Sequence, residues 1–190
     1  MNIFLDCGAN WGQGLQKIMK LENMGQDWLI YTFEPNPAIF PNLLRICGNM
    51  IDMQATPLIV PIQAAVGTKT GQADFWIGNH DDGGSSLIHD LTMQTNKGKE
   101  PETKISAKVL SLKDFIRLRT CEEDSIVLKL DIEGSEYEIL EDLLDSDYEI
   151  HRIKRVYCEF HERFLPERVG HAHLLRERLK EANVDIIDWD

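Results

Sequence analysis

The chain has 190 residues, 43 % hydrophobic and 27 % charged, and a formal net charge of −12. That balance suits a soluble globular protein of one domain, able to bury about 70 % of its extended surface. The excess of acid disfavours nucleic acid or anionic membrane as partner, no apolar run reaches the roughly 20 residues of a membrane span, and no signal peptide precedes the first strand.

Apolar strand-like runs alternate with helical periodicity, which predicts βαβ units: an α/β fold with a mostly parallel twisted sheet and helices on both faces. The first strand is Asn2–Asp6, followed by a glycine turn and a helix over Trp11–Asn23 with Leu15, Ile18 and Met19 on one stripe. Trp28–Glu34 reads as a strand stopped by Pro35-Asn36-Pro37. Pro37 suits the first turn of a helix, whose stripe is Phe40, Leu43, Leu44 and Cys47. The third strand is Leu58–Val66, where Pro61 suggests a bulge or irregular start.

Alternation then breaks. Ala73–Ile77 and Ile105–Leu110 read as strands around a polar stretch, Gly78 to Lys104, within an insertion over about 68–110. The stretch holds Asp81-Asp82-Gly83-Gly84-Ser85-Ser86 and Thr95–Pro101, and its length marks either a working lid or disorder. Ser111 with Asp114 forms a loose capping box for a helix to Arg119. The strand Ser125–Asp131, the helix Ser135–Leu144, the strand Arg152–Phe160, the helix His171–Ala182 and the strand Val184–Trp189 complete a single domain over residues 1–190. The four cysteines (Cys7, Cys47, Cys121, Cys158) lie far apart without a C-x-x-C pair, so free thiols in a cytoplasmic protein are expected.

The turn after the first strand reads Asp6-x-Gly8-x-Asn10-x-Gly12, not the G-x-G-x-x-G of a dinucleotide site. A leading carboxylate suits a cationic ligand, and S-adenosylmethionine (SAM) carries an amino group and a sulfonium. The plain alternative is an ordinary βα turn. Glu34 ends the second strand, where an acid can accept hydrogen bonds from ribose hydroxyls of NAD or SAM. Lys129, inside a strand, needs a partner such as Asp6, Asp131 or Glu159. Asp131, Glu133, Glu159 and His161 fall at the ends of two successive strands. If these are neighbours, the four converge as a general base for a substrate hydroxyl or as a metal site, although a divalent metal is not favoured. Sheet-end loops are polar in any case, and a lone histidine is commonly a surface group. Ser85 and Ser86 could contact cofactor or substrate, or belong to a simple linker.

Taken together, these residues resemble the FkbM family of SAM-dependent methyltransferases. The resemblance rests on Phe4–Gly12, Phe33–Pro37, Ala64–Gly67, Gly84–Leu87, Val109–Phe115 and Leu128–Glu136, in that order. It implies a Rossmann-like class I methyltransferase fold and methyl transfer to oxygen, often on a sugar or natural-product hydroxyl. By the same resemblance Asp6, Gly8, Ala9, Asn10 and Gly12 hold the methionine end of SAM. Glu34 binds the ribose, Pro35 and Asn36 lie beside the adenosine, and Ala65 is near the adenine. Asp131 and Glu133 border the methyl group and the acceptor, with Ser86 and His161 as further candidates. The chain starts directly at the first strand and stops soon after Trp189, so an N-terminal helical cover and the usual final antiparallel strand are expected to be missing. An NAD-dependent oxidoreductase and a SAM-binding module without turnover are the alternatives.

Overall fold

The computed structural model describes residues 1–51, 57–78, 84–89 and 103–189. The chain runs through β1 (Asn2–Cys7), α1 (Gln13–Leu21), β2 (Trp28–Phe33), α2 (Phe40–Ile51), β3 (Leu58–Ile62), β4 (Ala65–Gly67) and β5 (Gly71–Ile77). It continues with β6 (Thr103–Ser111), α3 (Leu112–Arg119), β7 (Ser125–Leu130), α4 (Glu136–Leu144), β8 (Ile153–Cys158), α5 (His171–Glu181) and β9 (Asp185–Asp188). Six strands form the main sheet in the order β3-β2-β1-β7-β8-β9, every pairing parallel. A second sheet has the order β4-β6-β5. No helix among the described residues is long and apolar enough to cross a membrane.

A parallel sheet buried on both faces needs apolar side chains at both phases of the strand repeat. On β1, Ile3, Leu5 and Cys7 enter one core and Phe4 the other; on β7, Ile126, Leu128 and Leu130 divide from Val127 in the same way. Leu15 and Ile18 of α1 with Leu43 and Cys47 of α2 cover the Phe4 face. Ile116, Leu140 and Leu179, from α3, α4 and α5, cover the other. Each such side chain contributes about 1.5–3 kcal/mol by leaving water. Asp6 lies in register between Thr32 and Lys129, so a row of three polar side chains is built into the sheet.

The structure departs from the sequence expectations at identifiable points. The second helix starts at Phe40, because Asn36 makes a turn first: its Oδ1 accepts from Ala38 N–H and its carbonyl from Phe40 N–H, both at 2.9 Å. Pro41, not Pro37, therefore occupies the first helical turn. Leu44 is 46 % exposed and falls off the apolar stripe. The expected third strand divides: β3 ends at Ile62, and Ala65–Gly67 crosses to pair with β6 in the second sheet. Pro61 sits in β3 at the edge of the described sheet, where a missing N–H is tolerated. Ser111 caps α3 as expected, accepting from Asp114 N–H at 3.1 Å. Asp81–Gly83 and Thr95–Pro101, with the lid suggested for them, lie outside the described residues. The neighbouring Ser86 bridges to Trp76.

Candidate active site

Strand order reverses between β1 and β7, and in open α/β sheets that is where a crevice opens beyond the strands' C-terminal ends. The loops after β1 and β7 meet through Gly8. Its φ is 79°, and a Cβ there would lie 1.8 Å from the carbonyl oxygen of Asp131. Gly8 N–H and Ala9 N–H both donate to Phe33 O, at 3.1 and 2.9 Å, which ties the turn to β2. Glu34, 6 % exposed, accepts from Asn10 N–H at 2.9 Å and from Asn36 N–H at 2.8 Å. Burial lifts its carboxyl to about 7, against the pull of those two amides.

A cleft of about 70 Å³ opens here. Phe33, Ile39, Ala65, Phe75 and Leu87 make it apolar on one side, while Asn10, Glu34, Asp131 and Glu133 supply polar groups. A second cavity of about 300 Å³ shares Gly8, Asn10 and Asp131 with it and reaches Gln13, Lys17 and Trp189. Asn10 lines both, and its Oδ1 is buried without a hydrogen-bond partner. An acceptor in that state can take a donor from a ligand or from water.

Beneath the turn lies the buried row. Thr32 Oγ1 donates to Asp6 Oδ2 at 3.0 Å, and Lys129 Nζ stands 3.6 Å from Asp6 Oδ1. The same ammonium donates to Gly8 O at 2.9 Å and reaches Asp131 Oδ2 at 3.0 Å. Burial works against its charge, but Asp131 and Asp6 outweigh that and raise the Lys129 pKa. Burial pushes the Asp6 carboxyl up, offset in part by Lys129 and Thr32. Asp6 lines neither cavity. Its carboxylate faces Lys129 and Thr32.

At the far side, β7 and β8 are neighbours, so the two strand-end clusters do converge. Glu136 is fully buried and accepts from Ile132 N–H at 2.8 Å and from Gly134 N–H at 2.9 Å, closing the loop before α4. That loop holds Glu133 at φ 56°, a left-handed conformation uncommon for a residue with a side chain. His161 is 2 % exposed, caged by Glu136 Oε1 at 3.2 Å, Glu133 Oε2 at 3.3 Å and Glu159 Oε1 at 3.6 Å. Burial alone would lower the imidazole pKa, but Glu136, then Glu133 and Glu159, lift it to about 9. Burial raises Glu133 to about 7, with His161 opposing and the like charges of Asp131, Glu136 and Glu159 adding. His161 is thus an enclosed group, not a surface one. Asp131, Glu159 and His161 offer three ligand atoms within 4.8 Å of one another, a set able to hold a metal ion.

The remaining expected residues divide by position. Pro35 and Ala65 line the main cleft, and Ala9 lines the second cavity. Gly12 caps α1 at φ 81° and donates to Ala9 O at 2.8 Å. Asn36 is 2 % exposed, engaged in its own turn. Ser86 is buried too: its hydroxyl donates to Glu133 O at 2.5 Å and accepts from Ile88 N–H at 2.9 Å, while Ser85 lines the cleft. Sequence reasoning missed Phe75 and Leu87, which reach the cleft from outside the main sheet, and the caging role of Glu136. Only the position of Glu136 at a helix start hinted at it, since acids favour that place.

Residues 6–186 match the family model of the methyltransferase FkbM domain. The fold is similar to the crystal structure of methyltransferase FkbM from Methylobacillus flagellatus KT, with a TM-score of 0.56 and 14 % sequence identity. The match covers 93 % of this chain and 38 % of that chain, so this chain spans under two-fifths of the other's length. A search of the curated proteins finds no match.

Proposed function

The chain belongs to the FkbM methyltransferase family, and on that premise we propose that it transfers a methyl group from SAM to a hydroxyl of a sugar, glycan or small natural product. One observation carries the reading. Glu34, at the end of β2, and the Gly8–Asn10 turn, at the end of β1, face the same cleft and are hydrogen-bonded to each other. The residues fit the donor: Glu34 suits ribose hydroxyls, the apolar wall with Ala65 suits an adenine, and the orphaned Asn10 Oδ1 suits an ammonium. SAM, when bound, supplies a methyl group already activated on a sulfonium.

What remains for the chain is placement and proton removal. Gly8 and Asn10 position the methionine end, with Ala9 on the second-cavity side. Asp131, held by Lys129, and Glu133, held by the loop that Glu136 closes, border the place where an acceptor hydroxyl would meet the methyl group. Either carboxylate can take the proton as the oxygen becomes acidic. The excess of acid supports a small-molecule or glycan acceptor over nucleic acid or membrane, and the four free cysteines support a cytoplasmic setting.

Calorimetry with SAM, S-adenosylhomocysteine and NAD tests the donor, and tight binding of NAD alone overturns the reading. A labelled-methyl transfer screen over sugars, glycans and cell extract tests the acceptor. Donor binding without transfer to any fraction leaves a SAM-binding module. Asp131→Asn is expected to reduce transfer more than donor binding; unchanged turnover would remove Asp131 from the mechanism.

A further inference from the structure

We propose that Asp131, Glu159 and His161 form a site for one divalent cation of the Mn²⁺ or Zn²⁺ type, at the C-terminal ends of β7 and β8. The three ligand atoms lie within 4.8 Å of one another. A tetrahedral ion with bonds of about 2.0–2.2 Å holds its ligands roughly 3.4 Å apart, so the three groups must close by about 1 Å. Two of the ligands stand on a rigid frame. Leu130 pairs with Cys158, Glu159 N–H donates to Leu130 O at 3.0 Å, and Asp131 and Glu159 therefore follow directly on adjacent strands.

His161 supplies the independent observation. Its side chain is 2 % exposed, with Nδ1 turned to Glu136 and Nε2 turned to Glu133 and Glu159. Behind Nδ1, at 3.2 Å, stands Glu136, itself fixed by Ile132 N–H and Gly134 N–H. A pinned carboxylate behind an imidazole is how proteins orient a metal-ligating histidine. The ring's other nitrogen faces Glu133 and Glu159 at 3.3 and 3.6 Å, long for direct hydrogen bonds. Charge points the same way. Asp131, Glu133, Glu136 and Glu159 surround His161 and Lys129, leaving negative charge in a partly buried place. One imidazole and two carboxylates, without a thiolate, suit Mn²⁺ or Zn²⁺.

The ion would stand beside the cleft shared by Asp131 and Glu133, where it could polarise an acceptor hydroxyl. That use rests on the methyltransferase reading, but the site itself does not.

The test is titration of the EDTA-treated full chain with Mn²⁺, following loss of the free-ion EPR signal, and with Zn²⁺ by competition against a chromophoric chelator. One ion per chain is expected. Asp131→Asn, Glu159→Gln and His161→Gln should each weaken binding by roughly tenfold or more, and Glu136→Gln by roughly 10- to 100-fold. Glu138→Gln, at a half-exposed position outside the cluster, should leave affinity unchanged. Circular dichroism of each variant separates loss of the site from loss of the fold. Absence of stoichiometric binding at millimolar metal, or binding that survives all three ligand substitutions in folded protein, overturns the proposal and leaves the proton on His161 as the counter-charge. No methyl donor is present in the titration, so its failure leaves the SAM reading standing, and failure of SAM to bind leaves the metal result intact.

Discussion

Glu34 joins two turns with one side chain, since its oxygens accept from Asn10 and Asn36, one amide on each strand-end loop. Glu34→Ala removes both bonds together with the candidate ribose contact. Donor affinity is expected to fall by roughly 1.5–3 kcal/mol, measured by calorimetry with S-adenosylhomocysteine. The same residue gives stability a pH dependence. Its carboxyl moves from 4.5 to about 7 on burial, so between those values the folded state keeps a proton that the unfolded chain releases. Glu34's contribution to stability is therefore full below about 4.5 and lost as pH rises through about 7. Glu34→Gln should lose this component in thermal denaturation across that window; identical pH profiles for the two proteins would contradict it. Lys129 presents the opposite case, a buried cation held by Asp6 and Asp131. Lys129→Met leaves those carboxylates without their ammonium and should cost about 3–5 kcal/mol in urea denaturation.

Elements meet at points that a strand or helix assignment does not show. Gly8 is such a point: a methyl group there would overlap Asp131 O, and its φ of 79° already disfavours a side chain. Gly8→Ala should destabilise by about 4 kcal/mol or more, in the range reserved for specific steric conflict, and should abolish donor binding in whatever protein folds. The cap of α3 is an ordinary element-end effect by comparison. Ser111→Ala loses the bond to Asp114 N–H and should cost about 1 kcal/mol by chemical denaturation. Ser111 was legible because capping is local chemistry. The start of α2 was not, because an Asn36 turn and a Pro37 helix start use the same few residues, and the observed bonds to Ala38 and Phe40 decide for the turn.

Across the whole molecule, the net charge of −12 combines with carboxylates gathered beyond the C-terminal ends of β7 and β8. Neutral or cationic acceptors should be turned over faster than phosphorylated or carboxylated analogues at low ionic strength. The gap should narrow as salt screens the field; an anionic acceptor preferred at low salt would contradict this. Strand alternation, the glycine turn, Glu34 and the Asp131–Glu136 block were readable in the chain because each is a pattern of adjacent residues. That local chemistry determined the α/β class and the family. Tertiary structure decided what lies across strands and loops: that Asp6 faces Lys129 and Thr32, that Ser86 braces Glu133 while Ser85 lines the cleft, and that Phe75 and Leu87 complete the apolar wall. It also enclosed His161 among three glutamates drawn from two strand ends and a helix start. Sequence spacing carries a side chain's phase along its own strand, whereas its partners are set by register and by packing between distant segments.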